Sequence, residues 1–253
     1  MTNQTTVDLR EIEPGIMLLR MQERDGKNTF TSTFIDGLLS AFDEIDKNMS
    51  CKAVILTGYD TYFACGATKE LLLALHKGAA KFSDVNLYSR PLECAVPVIA
   101  AMQGHGIGGG FVFGLFADII ILGKESLYTA NFMKYGFTPG MGASCVVPAK
   151  LGTALSAELL LGAGTYSGAE LARRGVPFAV LPRSEVVDHA IKIARELALM
   201  PRTSLMLLKK HLAAPLRAEL PRFIAIEESL HKETICEPEV RDRIEALFEG
   251  LQR

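Results

Sequence analysis

Gln103-Gly104-His105-Gly106-Ile107-Gly108-Gly109-Gly110 is the stretch on which the reading of this chain turns. It follows an apolar run, residues 96–102, patterned as a buried strand, and precedes another, residues 111–117, read as a helix. Strand, glycines, helix start: that order aims bare backbone N–H groups and the positive end of a helix dipole at one spot. Such a spot binds an anion or stabilises a developing negative charge. Gly104, Gly106 and Gly109 also spell G-x-G-x-x-G, with Glu125 near where a ribose-binding acid would stand. The helix after a dinucleotide loop shows one face to water. Residues 111–117 are apolar or glycine throughout, so the dinucleotide reading is set aside.

Working outward, Tyr62-Phe63-Ala64-Cys65-Gly66-Ala67-Thr68-Lys69-Glu70 follows a strand-like 53–57 and again puts a glycine where a strand turns into a helix. Tyr135-Gly136-Phe137-Thr138-Pro139-Gly140-Met141-Gly142 closes the set. The order and wording of the three segments resemble the crotonase (enoyl-CoA hydratase/isomerase) superfamily, over essentially the whole chain. The resemblance implies an α/β fold: a spiral of ββα units over residues 1–190, then a helical region over 191–253 that covers the active site. It also implies a homotrimer or a hexamer built from two trimers.

Composition fits that frame. The chain has 253 residues, 49 % hydrophobic and 22 % charged, enough for a sizeable core. Net charge is −2 and no long basic run occurs, which argues against a nucleic-acid partner. Cys51, Cys65, Cys94, Cys145 and Cys236 are scattered without a C-x-x-C pair, the usage of a reducing cytoplasm. The polar first residues lack a signal peptide's apolar core. No apolar run nears the ~20 residues of a membrane helix.

Periodicity predicts a hairpin, 7–12 and 16–22, turning at Pro14-Gly15, and an amphipathic helix over 31–47. Strands follow at 53–57 and 118–122, with helices over 69–80 and 82–94. Helices are expected over 154–161, 168–174, 185–199, 203–212, 220–235 and 239–251, interrupted by a strand at 176–181. Strands alternating with helices imply mostly parallel pairing.

Crotonases hold a thioester carbonyl between two backbone N–H groups, and the matching positions are Ala67 and Gly109, with Gly66, Gly108 and Gly140 beside them. Preorganised donors of this kind favour an enolate oxygen over the neutral thioester carbonyl. The two glutamates of crotonase hydratases match Val112 and Phe132 here, and neither carries a proton. Moving water across a double bond needs an acid and a base near the reacting carbons. Decarboxylation of a carboxylated thioester reaches an enolate, or a dienolate, without a base. Ala130-Asn131-Phe132-Met133-Lys134-Tyr135-Gly136-Phe137-Thr138-Pro139-Gly140, with residues 101–105, resembles one branch: decarboxylases of polyketide β-branching cassettes, acting after an HMG-CoA-synthase-like enzyme and a dehydrating crotonase.

That resemblance implies 3-methylglutaconyl on the phosphopantetheine of an acyl carrier protein (or on CoA) as substrate, and a 3-methylcrotonyl-type or β,γ-unsaturated thioester as product. It implies an active-site lysine after the first glycine motif and a histidine on a late helix, matched to Lys77 and His231, with Lys69 and Lys81 as rivals. Lys77 would hold the departing carboxylate; His231 would help position it or protonate the dienolate. Phe223, Glu227, His231 and Ile235 share a helix face. Cys65 has no evident base partner and is given a packing role, and His105 is expected to shape the glycine loop. Lys209, Lys210, Arg217 and Arg222 form a candidate docking face for an acidic carrier or the phosphates of CoA. No metal, flavin or nucleotide is required. The alternatives are an isomerase or hydrolase of acyl-CoA esters, and a non-catalytic paralogue that binds an acyl carrier.

Overall fold

The computed structural model describes residues 5–250. β1 (Val7–Glu13) and β2 (Ile16–Met21) form the expected antiparallel hairpin. α1 (Ser32–Lys47) is opened by Thr31, whose hydroxyl accepts from the Phe34 N–H, a cap that contributes about 1 kcal/mol. Its buried Phe34, Leu38, Ala41, Phe42 and Ile45 are the apolar stripe that helical spacing selects.

A unit of two strands and a helix then repeats. β3 (Ala53–Thr57), β4 (Tyr62–Ala64) and α2 (Lys69–His76) form the first, followed by the short α3 (Arg90–Glu93). β5 (Val98–Met102), β6 (His105–Ile107) and α4 (Gly109–Leu115) form the second. β7 (Ile119–Gly123), β8 (Leu127–Thr129), a 3₁₀ turn (Asn131–Tyr135) and α5 (Ala143–Leu151) form the third. The chain ends through α6 (Thr153–Gly162), β9 (Tyr166–Ser167), α7 (Gly168–Arg173), β10 (Ala179–Leu181), α8 (Arg183–Ala198), α9 (Arg202–Thr234) and α10 (Pro238–Gly250).

The first strand of each unit joins a six-stranded sheet, β1-β2-β3-β5-β7-β10; the second joins a four-stranded sheet, β4-β6-β8-β9. Apart from the β1/β2 and β8/β9 pairs, neighbours are parallel. This is the expected spiral of ββα units. The main core fills the side of the large sheet that faces α1 and α4, with Phe34, Phe42, Phe111 and Phe113 fully buried. On the other face Leu18, Ile55, Ile99 and Ile121 lie under Val186, Ala190 and Ala194 of α8. The division expected at residue 190 therefore falls inside a helix that packs on the sheet.

Three local expectations are corrected. Residues 82–94 are not one helix but a 3₁₀ turn (Phe82–Asp84), a loop and α3. Asp84 Oδ2 accepts from the Lys81 N–H at 2.7 Å, which caps the 3₁₀ turn, but Val85 is extended at φ −129° and ψ 115° and stops it from propagating. Conversely, 203–212 and 220–235 are one helix, α9, which runs through Pro215 and Pro221. Lys209 and Arg217 anchor it on both sides of Pro215, donating to the carbonyls of Pro91 and Val96 and of Leu92. Finally, the strands 53–57 and 96–102 do not lead straight into their helices: β4 and β6 intervene, and β6 takes three residues of the glycine stretch.

Candidate active site

The glycine stretch brings two backbone segments into contact. α4 is buried over all seven residues, the all-round burial its sequence required. It begins right after Gly108, which has φ +55° and donates its N–H to the Thr129 carbonyl at 2.8 Å. Gly109 and Gly110 then present the first helical N–H groups, which have no acceptor inside a helix. Gly66, at φ +72°, lies against them: a Cβ there would stand 2.8 Å from the Ile107 carbonyl oxygen and 3.0 Å from the Gly109 nitrogen. A Cβ on Gly110 would collide with the Ala64 carbonyl. Contact this close admits no methyl group at either position. The N–H groups of Ala67 and Gly109 donate to no acceptor among the described residues. Two unpaired donors thus stand on two separate segments beside a helix N-terminus, an arrangement chemically able to stabilise a developing oxyanion.

The surroundings are apolar. Val112 is fully buried in α4 and Phe132 is 5 % exposed. Phe132 packs edge-on against Phe82 and Phe137, with ring centroids 6.3 Å apart in each pair. Phe30 and the Met141 sulfur lie over Gly109, where a Cβ would stand 2.6 Å from Sδ. Gly140 sits next to Phe82 and His231; a Cβ on it would meet them at 2.5 and 2.6 Å. The carboxylate pair of a hydratase has no counterpart at these positions.

His231 does enter this region. Its ring lies 5.1 Å from that of Phe82 and 5.9 Å from that of Phe137. Its Nε2 is 2.6 Å from the Thr138 carbonyl oxygen, which only accepts, so Nε2 carries the proton. Burial holds the imidazole below its ordinary range, opposed by the Thr138 carbonyl and the Glu228 charge. The favoured form is therefore neutral, with the proton on Nε2 and Nδ1 free to accept.

The candidate lysines separate. Lys77 caps the end of α2 and is exposed. A cleft of about 230 Å³ opens beside His231, lined by Lys81, Phe82, Glu228, Lys232 and Ile235 among others, but not by Lys77 or Lys69. Gly78, at φ +67°, turns the chain between Lys77 and Lys81; Lys81 is exposed as well, but it lines the cleft. Ser83 donates to Glu228, which ties this loop to α9.

Glu227 was not assigned a role from sequence. It is 3 % exposed, and its carboxylate accepts from the Gly142 N–H at 2.7 Å, the Ser144 N–H at 2.8 Å and the Ser144 hydroxyl at 2.6 Å. Its place on the His231 face was visible; the turn it holds was not. The basic docking face dissolves. Lys209 is buried, bonded to Asp118 at 2.7 Å and to two carbonyls, while Arg217 is turned inward and Arg222 pairs with Glu219. Burial pushes the Cys65 thiol up to about 11, in keeping with a packing role. His105 Nδ1 accepts from the Leu127 N–H at 2.9 Å and so links β6 to β8.

The family described as Enoyl-CoA hydratase/isomerase matches residues 11–253. The chain is 59 % identical over 244 residues to the bacillaene synthase decarboxylase PksI of Bacillus subtilis, covering 96 % of this chain and 98 % of that one. Among solved structures, a member of a dehydratase/decarboxylase enzyme couple involved in polyketide beta-branching superposes with a TM-score of 0.95 at 59 % identity, over 96 % of this chain and 99 % of that one. The ECH2 decarboxylase domain of CurF from Lyngbya majuscula gives a TM-score of 0.92 at 40 % identity, over the same shares of the two chains.

Proposed function

The chain belongs to the enoyl-CoA hydratase/isomerase family, and within it we propose a carboxy-lyase that decarboxylates 3-methylglutaconyl on an acyl carrier protein in polyketide β-branching. One observation carries this reading: the Ala67 and Gly109 N–H groups have no acceptor among the described residues, and the two positions matched to a hydratase's acid and base are the buried Val112 and Phe132. The thioester oxygen sits between the N–H groups of Ala67 and Gly109. The bond to the terminal carboxylate breaks, its electron pair flows through the double bond onto that oxygen, and carbon dioxide leaves. The dienolate then takes a proton on carbon. The apolar wall suits neutral carbon dioxide better than a carboxylate.

Lys81, on the cleft beside His231, is the lysine we assign to the carboxylate; Lys77 is assigned to solvent. A cation there orients its partner, because tight ground-state binding alone gains no rate. Once carbon dioxide has gone, the Lys81 ammonium can supply the proton. His231, neutral and tied to Thr138, positions the Gly140 turn. The exposed Leu207, Leu208, Leu212, Ile226 and Leu230 of α9 support assembly into a homotrimer or a hexamer of two trimers. No described helix is long and apolar enough to cross a membrane; the five free cysteines support a cytoplasmic setting.

Mass spectrometry of the carrier-bound acyl group tests the reading. Loss of one carbon dioxide is expected. Gain or loss of water would make the protein a hydratase despite Val112 and Phe132. An unchanged mass with retained binding would make it a carrier-binding paralogue, and an isomer or free acid would point to the isomerase or hydrolase chemistry of the family. The same assay on the CoA thioester decides the carrier preference.

A further inference from the structure

We propose that Glu227 is a positioning residue that sets the oxyanion hole by holding the Gly140-Met141-Gly142 turn against Gly109. The inference rests on the reading of Ala67 and Gly109 as that hole. α9 grips the turn at both ends. On one side His231 Nε2 donates to the Thr138 carbonyl at 2.6 Å, and Thr234 Oγ1 stands 3.4 Å from the Thr138 nitrogen. On the other, one helical turn earlier, Glu227 accepts from Gly142 and twice from Ser144. Between these grips lies Met141, with φ +62°. A non-glycine residue in that region costs about 1–3 kcal/mol and persists where its surroundings over-determine it. The strain has a visible product: Met141 Sδ is laid over Gly109, whose N–H is one of the two donors.

A carboxylate taken from water this completely is expensive unless its oxygens are satisfied. Glu227 meets that condition with three donors, all of them from the segment that follows Met141. The plain alternative is that Glu227 merely caps α5, which begins at Ala143. Both roles use the same bonds. They differ in what happens at Gly109 when the bonds are altered.

A thioester carbonyl reports on the hole whatever reaction follows. The probe is S-(3-methylcrotonyl)-pantetheine labelled with ¹³C at the carbonyl, read by isotope-edited infrared spectroscopy on the full-length protein. In the wild type the carbonyl band is expected below that of the free thioester. In Glu227→Gln an amide N–H faces a backbone N–H, and the band is expected to return toward the free position. kcat for carbon dioxide release should fall by about tenfold or more, with KM within about twofold, the pattern of an interaction made in the transition state. In a Met141→Gly background, which relieves the positive φ, Glu227→Gln should cost less. Ser144→Ala, which removes one of the three bonds, should give a smaller shift of the same sign and keeps the test alive if Glu227→Gln fails to fold. An unshifted wild-type band, a Glu227→Gln band at the wild-type position, or an equal cost in both Met141 backgrounds overturns the proposal. A band that moves on substitution in a protein that releases no carbon dioxide sustains it and removes the decarboxylase reading instead.

Discussion

The two halves of the proposed site are made of different material. The half formed by Gly66, Ala67 and the start of α4 is backbone, with N–H groups as its working atoms and the space of a missing methyl as its tolerance. The half formed by α9 and the Thr138–Ser144 turn is side chain: His231, Glu227 and Thr234 reach across from one helix and hold a loop by hydrogen bonds. The first half fails abruptly when volume is added. The second fails by degrees as bonds are removed. In the function proposed here, Val112, Phe132 and the cleft beside His231 are what separate this chain from a hydratase.

The contrast is sharpest at Val112. Val112→Glu places a hydratase-type acid on the backbone side, in a position with no solvent exposure. Stability to urea is expected to fall by about 3–5 kcal/mol, the cost of an uncompensated buried charge. Carbon dioxide release should not rise, because the new carboxylate repels the substrate's own. A well-folded variant that adds water to the thioester would break the contrast. Next, Gly66→Ala puts a Cβ 3.0 Å from the Gly109 nitrogen. Turnover should drop by about 10²–10³-fold, the loss typical of one oxyanion donor; wild-type kinetics would mean that the donors lie elsewhere.

On the side-chain half, Lys81→Ala should lower kcat by about 10²-fold through lost orientation, whereas Lys77→Ala should stay within about threefold. Steady-state assays of both variants decide between the lysines, and the reverse order would return Lys77 to the site. The smallest effect is in pH. Burial in the folded state holds His231 below its ordinary value of 6.5, so the unfolded chain binds more protons between the two pKa values. Stability from this group is complete above 6.5 and declines as pH falls through the folded value. The stability gap between wild type and His231→Gln should therefore narrow on acidification, as followed by thermal melts. A constant gap would mean that the imidazole is not buried against Thr138.

The same division explains what could be read from sequence. Glycines that mark close backbone contact are visible as letters, so Gly66, Gly108, Gly109 and Gly140 all fell in the region where the structure brings them together. The large parallel sheet and the amphipathic α1 were equally legible, since their periods are local. β4, β6, β8 and β9 were not, because two or three residues carry no period. Pro215 and Pro221 hid the continuity of α9, which is held by Lys209 and Arg217 bonding to carbonyls more than a hundred positions away. The same inward bonds removed the basic face that Lys209 and Arg217 had promised. Glu227 and Lys81 illustrate the remaining gap: their types and spacing were in view, but a partner loop decides their use.

α9 has a consequence for the enzyme in dilute solution. Its 33 residues, about 50 Å of helix, carry His231 and Glu227 on the inner face and Leu207, Leu208, Leu212 and Leu230 on the outer. Where copies associate through that outer face, mass action on assembly is also mass action on the helix that shapes the pocket. Protein concentration then becomes a variable of catalysis, and specific activity falling on dilution would report dissociation of the assembly before any change in fold.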